Sequence, residues 1–170
     1  MMRRRNDGPF LQNKNDGGYV INLPPDVQSL LVHMFGELRD VLTQGSSRDP
    51  ALRRLFPVAY HLDVESDEEY QRLMQGELVA SRLAAISRAT EILETDGLLT
   101  SGDMNQFMQS LNAIRLLLGT MLDVGEDHEP EDLSEDDPAV PQHHLYAYLG
   151  WLVESAVVVQ QGRGGKLRDP

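Results

Sequence analysis

Six polar side chains fall into two helical stripes that could do chemistry. Asn112 and Arg115 lie three residues apart beside an apolar face, with Gly119-Thr120 one turn further on. Glu77, Ser81, Arg88 and Glu91 follow a second stripe bordered by Leu73, Met74, Ala80, Ala84 and Ala85. Polar groups set beside apolar ones at helical spacing serve either as an ion-pair network between helices or as the lining of a ligand pocket. Burying the Arg115 guanidinium alone would cost on the order of several kcal/mol. A carboxylate partner is therefore expected, with Glu77 and Glu91 the candidates. The cluster Asn112, Arg115, Glu77, Arg88 and Glu91 is expected to hold helices together, the pocket being the second reading.

Other chemistries lack their residues. A di-metal bundle site needs Glu-x-x-His steps, and neither that spacing nor His-Glu-x-x-His occurs. His33 and His61 stand alone, His128 lies among acids, and His143-His144 are neighbours that a helix turns about 100° apart. The acidic stretch lacks the Asp-x-Asp-x-Asp-Gly alternation that wraps calcium. There is no cysteine, hence no thiol nucleophile, disulfide or thiolate metal site. No Gly-rich phosphate loop opens a helix, and no Gly-x-Ser-x-Gly elbow is present. No catalytic residue, cofactor or metal is expected, and the chain is not expected to be an enzyme.

The 170 residues are 41% hydrophobic and 25% charged, which suits one globular domain. A formal net charge of -12 repels phosphate at long range, so nucleic acid is not the expected partner. Nine of the acids lie between Asp123 and Asp137, and the remainder is only mildly acidic. Local positive clusters exist at Arg3-Arg4-Arg5 and at Arg48, Arg53 and Arg54. After Arg5 comes the polar run Asn6-Asp7-Gly8-Pro9, where a signal peptide would place apolar residues. No apolar run reaches the roughly 20 residues of a membrane span. A cytoplasmic address follows, with no membrane contact.

The elements that must position these residues can be laid out from the N-terminus. Phe10-Leu11-Gln12 and Tyr19–Leu23 flank a segment whose Asp16-Gly17-Gly18 suits a tight reversal, which predicts a hairpin with Tyr19, Ile21 and Leu23 on its inner face. Pro24-Pro25 opens a helix in which Val27, Leu30, Leu31, Met34, Phe35, Leu38, Val41 and Leu42 recur every three or four residues, and Gly45 ends it. Asp49-Pro50 starts a short helix through Leu55, closed by Pro57. Ser66 and Glu69 have capping-box spacing at the head of a long helix to about Glu94. A further helix runs from near Asp103 to Leu122, and the last from about Gln142 to Gln161. The fold class expected is mainly α: a bundle of four to five helices with a small N-terminal β-hairpin. Residues 1–122 form the hairpin and helical core, 123–141 an acidic linker or loop, 142–161 the C-terminal helix of the same domain, and 162–170 a flexible tail.

That last helix is apolar on almost every side. Leu145, Leu149, Leu152, Val153 and Ala156 make one face, while Ala147, Trp151 and Val158 lie roughly opposite. A helix apolar all round is central or shared with another chain. Trp151, Val158 and Ala147 are accordingly a candidate interface, and a homodimer is expected.

Two strings carry a family resemblance: Asp49-Pro50-Ala51-Leu52-Arg53-Arg54-Leu55-Phe56-Pro57-Val58-Ala59-Tyr60, and Leu111-Asn112-Ala113-Ile114-Arg115-Leu116-Leu117-Leu118-Gly119-Thr120. They resemble an uncharacterised actinobacterial family, a domain of unknown function. The Arg-rich start, Gly18, the Leu23 to Leu42 helix and Glu77-Leu78 extend the resemblance over nearly the whole chain. It implies a soluble bacterial protein, often encoded beside the adaptor of the Clp protease, with some relatives labelled transcriptional regulators and no activity to transfer. Two positions depart from the pattern. Met121 stands where the family tends to have Arg, and Leu145-Tyr146-Ala147-Tyr148-Leu149-Gly150-Trp151 lacks the Asp often found after the first Tyr.

Three functions follow as expectations. The first is a non-enzymatic interaction or regulatory protein that dimerises and presents an acidic surface to a protein partner. The second is a transcriptional regulator, on the family label and the arginine clusters. The third is a ligand-binding protein or enzyme with a polar pocket around Arg115.

Overall fold

A computed structural model of the chain describes residues 8–13, 15–45, 49–52, 54–55, 64–123 and 134–162, with the side chains of 64–68 and 70–75 left aside. Arg3-Arg4-Arg5, Arg48, Arg53, Pro57, His61, His128, the 124–133 part of the acidic stretch and the 163–170 tail lie outside the described residues. The expected class holds: four α-helices and one antiparallel hairpin are present among them.

The hairpin pairs β1 (Phe10–Gln12) with β2 (Tyr19–Ile21), Leu11 opposite Val20. Its reversal uses a left-handed residue, Gly17 at φ 70, a conformation that glycine adopts without steric penalty. Nothing in the residue pattern hints at what covers the far edge of β2. Tyr19 and Leu99 exchange backbone hydrogen bonds of 2.9 and 2.8 Å, so the link between the second and third helices supplies one more rung of ladder. A two-stranded hairpin is marginal alone; this one is held by that rung and by buried Phe10, Tyr19 and Leu23.

Helix α1 (Pro25–Gln44) begins with proline at its first turn and Asp26 near the positive end of the helix dipole. It buries Leu31, Phe35, Leu38 and Leu42, one stripe of the expected pattern, and leaves Leu30 exposed. At Gly45, which ends α1, a Cβ would stand 2.5 Å from the Val41 carbonyl oxygen. That close approach, and not a left-handed turn, is what requires glycine there.

Asp49-Pro50 opens a single 3₁₀ turn (Pro50–Leu52) instead of the expected short helix. The Asp49 carboxylate accepts the Ala51 N–H at 2.9 Å, an Asx turn that satisfies the local backbone without a second helical turn. Helix α2 (Val64–Glu94) starts before the expected cap, so Ser66 lies inside it. Helix α3 (Ser101–Met121) is capped by Thr100, and α4 (Val140–Gln160) begins two residues ahead of expectation, with Pro141 in its first turn and Asp137 accepting the Ala139 N–H at 2.8 Å.

Helix α3 lies between α2 and α4 and also touches α1 and the 3₁₀ segment. Its Phe107 is the centre of the core, edge-on to Phe10 at 5.9 Å and to Phe35 at 6.1 Å. Each of these rings is essentially inaccessible to water. Burial of a ring this size is worth about 1.5–3 kcal/mol, and edge-to-face packing adds to it. On its other side α3 runs antiparallel to α4, as Gln160 of α4 donates to Asn105 of α3 at 2.9 Å near one end. Leu149, Leu152, Ser155, Ala156 and Val159 form the buried stripe of α4, with Leu145 and Val153 partly covered.

Candidate functional site

The polar residues of the two stripes do not form one cluster. They separate to opposite ends of α3, with twelve positions between Asp103 and Arg115, or about 18 Å of helix.

At the N-terminal end the charges satisfy one another. Thr100 accepts the Asp103 N–H at 3.1 Å while the Asp103 carboxylate accepts the Thr100 N–H at 2.9 Å, a reciprocal capping box. The other Asp103 oxygen takes the Arg88 Nε–H at 2.8 Å. Glu91, one turn along α2, takes a terminal Arg88 nitrogen at 2.8 Å. The Arg88 hydrogen bond, with the Thr100 backbone N–H behind it, holds the Asp103 carboxyl well below the usual carboxylate range, at about 2. Hydrogen bonds to Asp103 and then to Glu91 push the Arg88 guanidinium upward in turn.

This corrects the expected partner of Arg115. Glu91 is engaged by Arg88 because the antiparallel crossing of α2 on α3 puts residue 91 at the α3 N-terminus, far from Arg115. Glu77 sits nearer that far end but is exposed. No carboxylate meets Arg115 within ion-pair distance among the described residues.

At the C-terminal end Arg115 has a different environment. Its Cζ lies 4.8 Å from the centroid of the Tyr146 ring, a cation–π contact from α3 to α4. Its Nε is buried and makes no hydrogen bond. A donor left so costs about 1–3 kcal/mol of desolvation. The guanidinium lies close against Gly150 of α4, where a Cβ would stand 3.2 Å from Arg115 Nε, a tight contact. One turn beyond Arg115, a Cβ at Gly119 would meet Arg54 Nη1 and Tyr146 Cε2, each at 2.7 Å. Arg54 belongs to the segment after the 3₁₀ turn, which is docked by Arg82 of α2, whose Nη2 donates to the Leu55 carbonyl at 3.0 Å. Burial lowers the Arg82 pKa. Asn112 is half-buried one turn before Arg115.

Sequence reasoning finds Arg115, and finds Arg54 only as part of a positive cluster, but misses that Tyr146 and Gly150 meet Arg115 and misses the Thr100–Asp103 box. Two signals were available. Glycine inside a helix costs about 1 kcal/mol against alanine, so Gly119 and Gly150 mark a close approach. Thr100-x-x-Asp103 has capping-box spacing just ahead of an apolar run.

Of the candidate interface, Ala147 is exposed, whereas Trp151 and Val158 are half-buried. Trp151 packs partly on the core and stacks at 5.5 Å and 31° on Tyr148. Tyr148 is itself raised in pKa, by burial first and then by Asp26. No group of three or more His, Asp or Glu side chains placed to hold a metal occurs among the described residues, and no helix there is long and apolar enough to cross a membrane.

Fold and geometry together define a four-helix domain with a docked hairpin and an arginine set against a tyrosine between its last two helices. The chain belongs to the family described as a domain of unknown function, DUF2017, whose model matches residues 4–159. It is similar to the oxidative stress regulator AosR of Mycobacterium tuberculosis and of Mycobacterium bovis, at 29% identity over 168 residues that cover 88% of this chain and 77% of that protein. No solved structure matches it.

Proposed function

We propose that this chain is a non-enzymatic regulatory protein of the oxidative-stress response, working in the cytoplasm through contacts and not through catalysis. The observation that carries this reading is the reach of the similarity to AosR, 88% of the chain, which takes in the helical core and not merely one motif. The second expectation, a regulator of transcription, is thereby favoured over a general interaction protein. The test is transcript profiling, with and without peroxide, in cells that carry or lack this gene. Loss of the gene is expected to change the peroxide-responsive transcripts, and the intact chain to restore them. A profile indifferent to the deletion would overturn the reading.

The signal does not act on a thiol within these residues, since none of the 170 is cysteine. With a net charge of -12, the regulator works through a protein partner and not by broad contact with the DNA backbone. Retention of the chain on random duplex at low salt would count against that mode. A dimer through Ala147, Trp151 and Val158 completes the proposal; a monomer by light scattering at high concentration would remove it.

A further inference from the structure

A regulator that answers oxidants needs an atom that an oxidant changes. Cysteine is absent, so all the sulfur of this chain is methionine thioether, in seven residues. The side chains of Met34, Met104, Met108 and Met121 are described, and the fold treats them unequally. Met104 is sealed in the core at 0% exposure, and Met34 and Met108 pack partly buried against that core. Met121 is 71% exposed, more than any other large hydrophobic residue among the described ones. Oxygen transfer to a thioether requires that the oxidant reach the sulfur, and only here is the way open on all but one side.

Its place in the fold gives such a modification something to change. Met121 is the last residue of α3, two beyond Gly119 and at the same end as Arg115. The closing turn is held by the Leu122 N–H, shared between the Leu118 and Thr120 carbonyls, and by the Asp123 N–H on Thr120 at 3.2 Å. Asp123 takes φ 51, left-handed backbone that carries a steric cost for any residue but glycine. No other non-glycine residue among the described ones does so. A helix C-terminus presents free carbonyl oxygens and the negative end of the dipole. A thioether there is neutral and apolar. A sulfoxide oxygen is a strong acceptor with partial negative charge, added to a turn already rich in acceptors and followed by the acidic Asp123. The end of the helix disfavours it, so oxidation loosens a turn that is weakly held to begin with.

We propose that Met121 is an oxidant-sensing modification site, converted to its sulfoxide by a two-electron oxygen donor, hydrogen peroxide or hypochlorous acid, and that the sulfoxide releases the last turn of α3. The sulfur takes the oxygen atom, and the S–O bond forms as the O–O or O–Cl bond breaks. Sulfur loses two electrons and the oxidant gains them, its remainder leaving as water or as chloride and a proton. Methionine sulfoxide reductases reverse the step, so the mark is erasable. The sensing role rests on the regulatory reading above, whereas the selectivity of the oxidation does not.

The experiment treats the full chain with limiting hydrogen peroxide or hypochlorous acid and maps the added oxygen by peptide mass spectrometry, with amide hydrogen exchange followed on the same samples. Met121 is expected to be oxidised about fivefold or more faster than Met34, Met104 and Met108. Exchange at the Leu122 and Asp123 amides is expected to quicken by about threefold or more, with that at Phe107 unchanged. Faster reaction with one of the two reagents assigns the oxidant. In cells, Met121→Leu is expected to abolish the oxidant-dependent change in transcripts, and Met34→Leu to keep it. Equal oxidation of the four methionines, or unchanged exchange at Leu122 and Asp123 once Met121 is oxidised, would overturn the proposal whether or not the chain is a regulator. A gene deletion that alters the transcripts while Met121→Leu responds like the parent would overturn the sensing role alone. A deletion without effect would remove the regulatory reading, and the sensing role with it.

Discussion

The two ends of α3 handle an arginine in opposite ways. At the N-terminal end Arg88 reaches across from α2 and meets Asp103, which the Thr100 cap already holds in place. The Arg88 Nε–H and both N–H groups of the capping box find acceptors within 3.1 Å, the first across from α2 and the others within the Thr100–Asp103 turn. At the C-terminal end Arg115 is placed by shape: a tyrosine face, Gly150 on the neighbouring helix and no acceptor for its Nε. The first arrangement is what stability alone selects, because unmet charge is expensive. The second accepts a cost that stability gives no reason to accept, and a local rule broken without local compensation is where function is to be sought.

The comparison breaks most violently if its shared frame is removed. Phe107 sits one turn from Asp103 and ties α3 to both the hairpin and α1 through two edge-on ring pairs. Phe107→Ala is expected to lower unfolding stability by about 3–5 kcal/mol, the range for losing a fully enclosed ring. Urea denaturation would measure it. A drop under about 1 kcal/mol would mean that the core closes over the gap and that Phe107 is not the pivot described.

A smaller change sharpens the contrast between shape and charge. Gly36 of α1 has open space where a Cβ would stand, whereas at Gly119 that atom would meet Arg54 and Tyr146. Gly36→Ala is expected to stabilise by roughly 1 kcal/mol through helix propensity. Gly119→Ala has the same propensity advantage but must push two side chains aside, and a net destabilisation of about 1–2 kcal/mol is expected. Paired melting curves of the two variants decide it; equal shifts would show that the packing around Gly119 is slack.

The same contrast explains what can be read without coordinates. Periodicity locates α1 and α3, because Leu31, Phe35, Leu38 and Leu42 or Phe107, Leu111 and Ile114 recur at the spacing of one face; α2 is legible only from capping-box spacing near its start, and α4 only as a run apolar on almost every side. The hairpin is legible from Gly17 and its flanking apolar residues. Which polar residues meet is not legible, since Arg88–Asp103 and Arg115–Tyr146 depend on how far one helix slides along the next. A shift of three or four residues would exchange the partners. The Tyr19–Leu99 rung is hidden for a related reason, as one backbone pair leaves no pattern in side-chain types.

At the satisfied end the expected effects are near 1 kcal/mol and depend on pH. Thr100→Ala removes one half of the capping box and is expected to destabilise by about 1 kcal/mol. Because the Asp103 carboxyl titrates at about 2 when folded, below its ordinary 3.8, its contribution is fully present above the ordinary value and is lost as pH falls through the folded one. Denaturant midpoints of the parent and of Asp103→Asn should therefore converge as pH drops from 5 toward 2. Parallel curves across that interval would mean that the carboxylate carries no folding energy.

The smallest effect is expected where the charge is least answered. Arg115→Met keeps length and apolar packing on Tyr146 while removing a buried donor that has no acceptor. Giving up the cation–π attraction costs about 0.5–1 kcal/mol, and the desolvation recovered is of the same order or larger. Stability should stay within about 0.5 kcal/mol of the parent or rise. Arg88→Met, by contrast, strands the Asp103 carboxylate at the cap and should destabilise. If Arg115→Met proves the more damaging of the two, the Arg115–Tyr146 contact is a structural joint after all, and the difference between the ends of α3 is one of geometry and not of purpose.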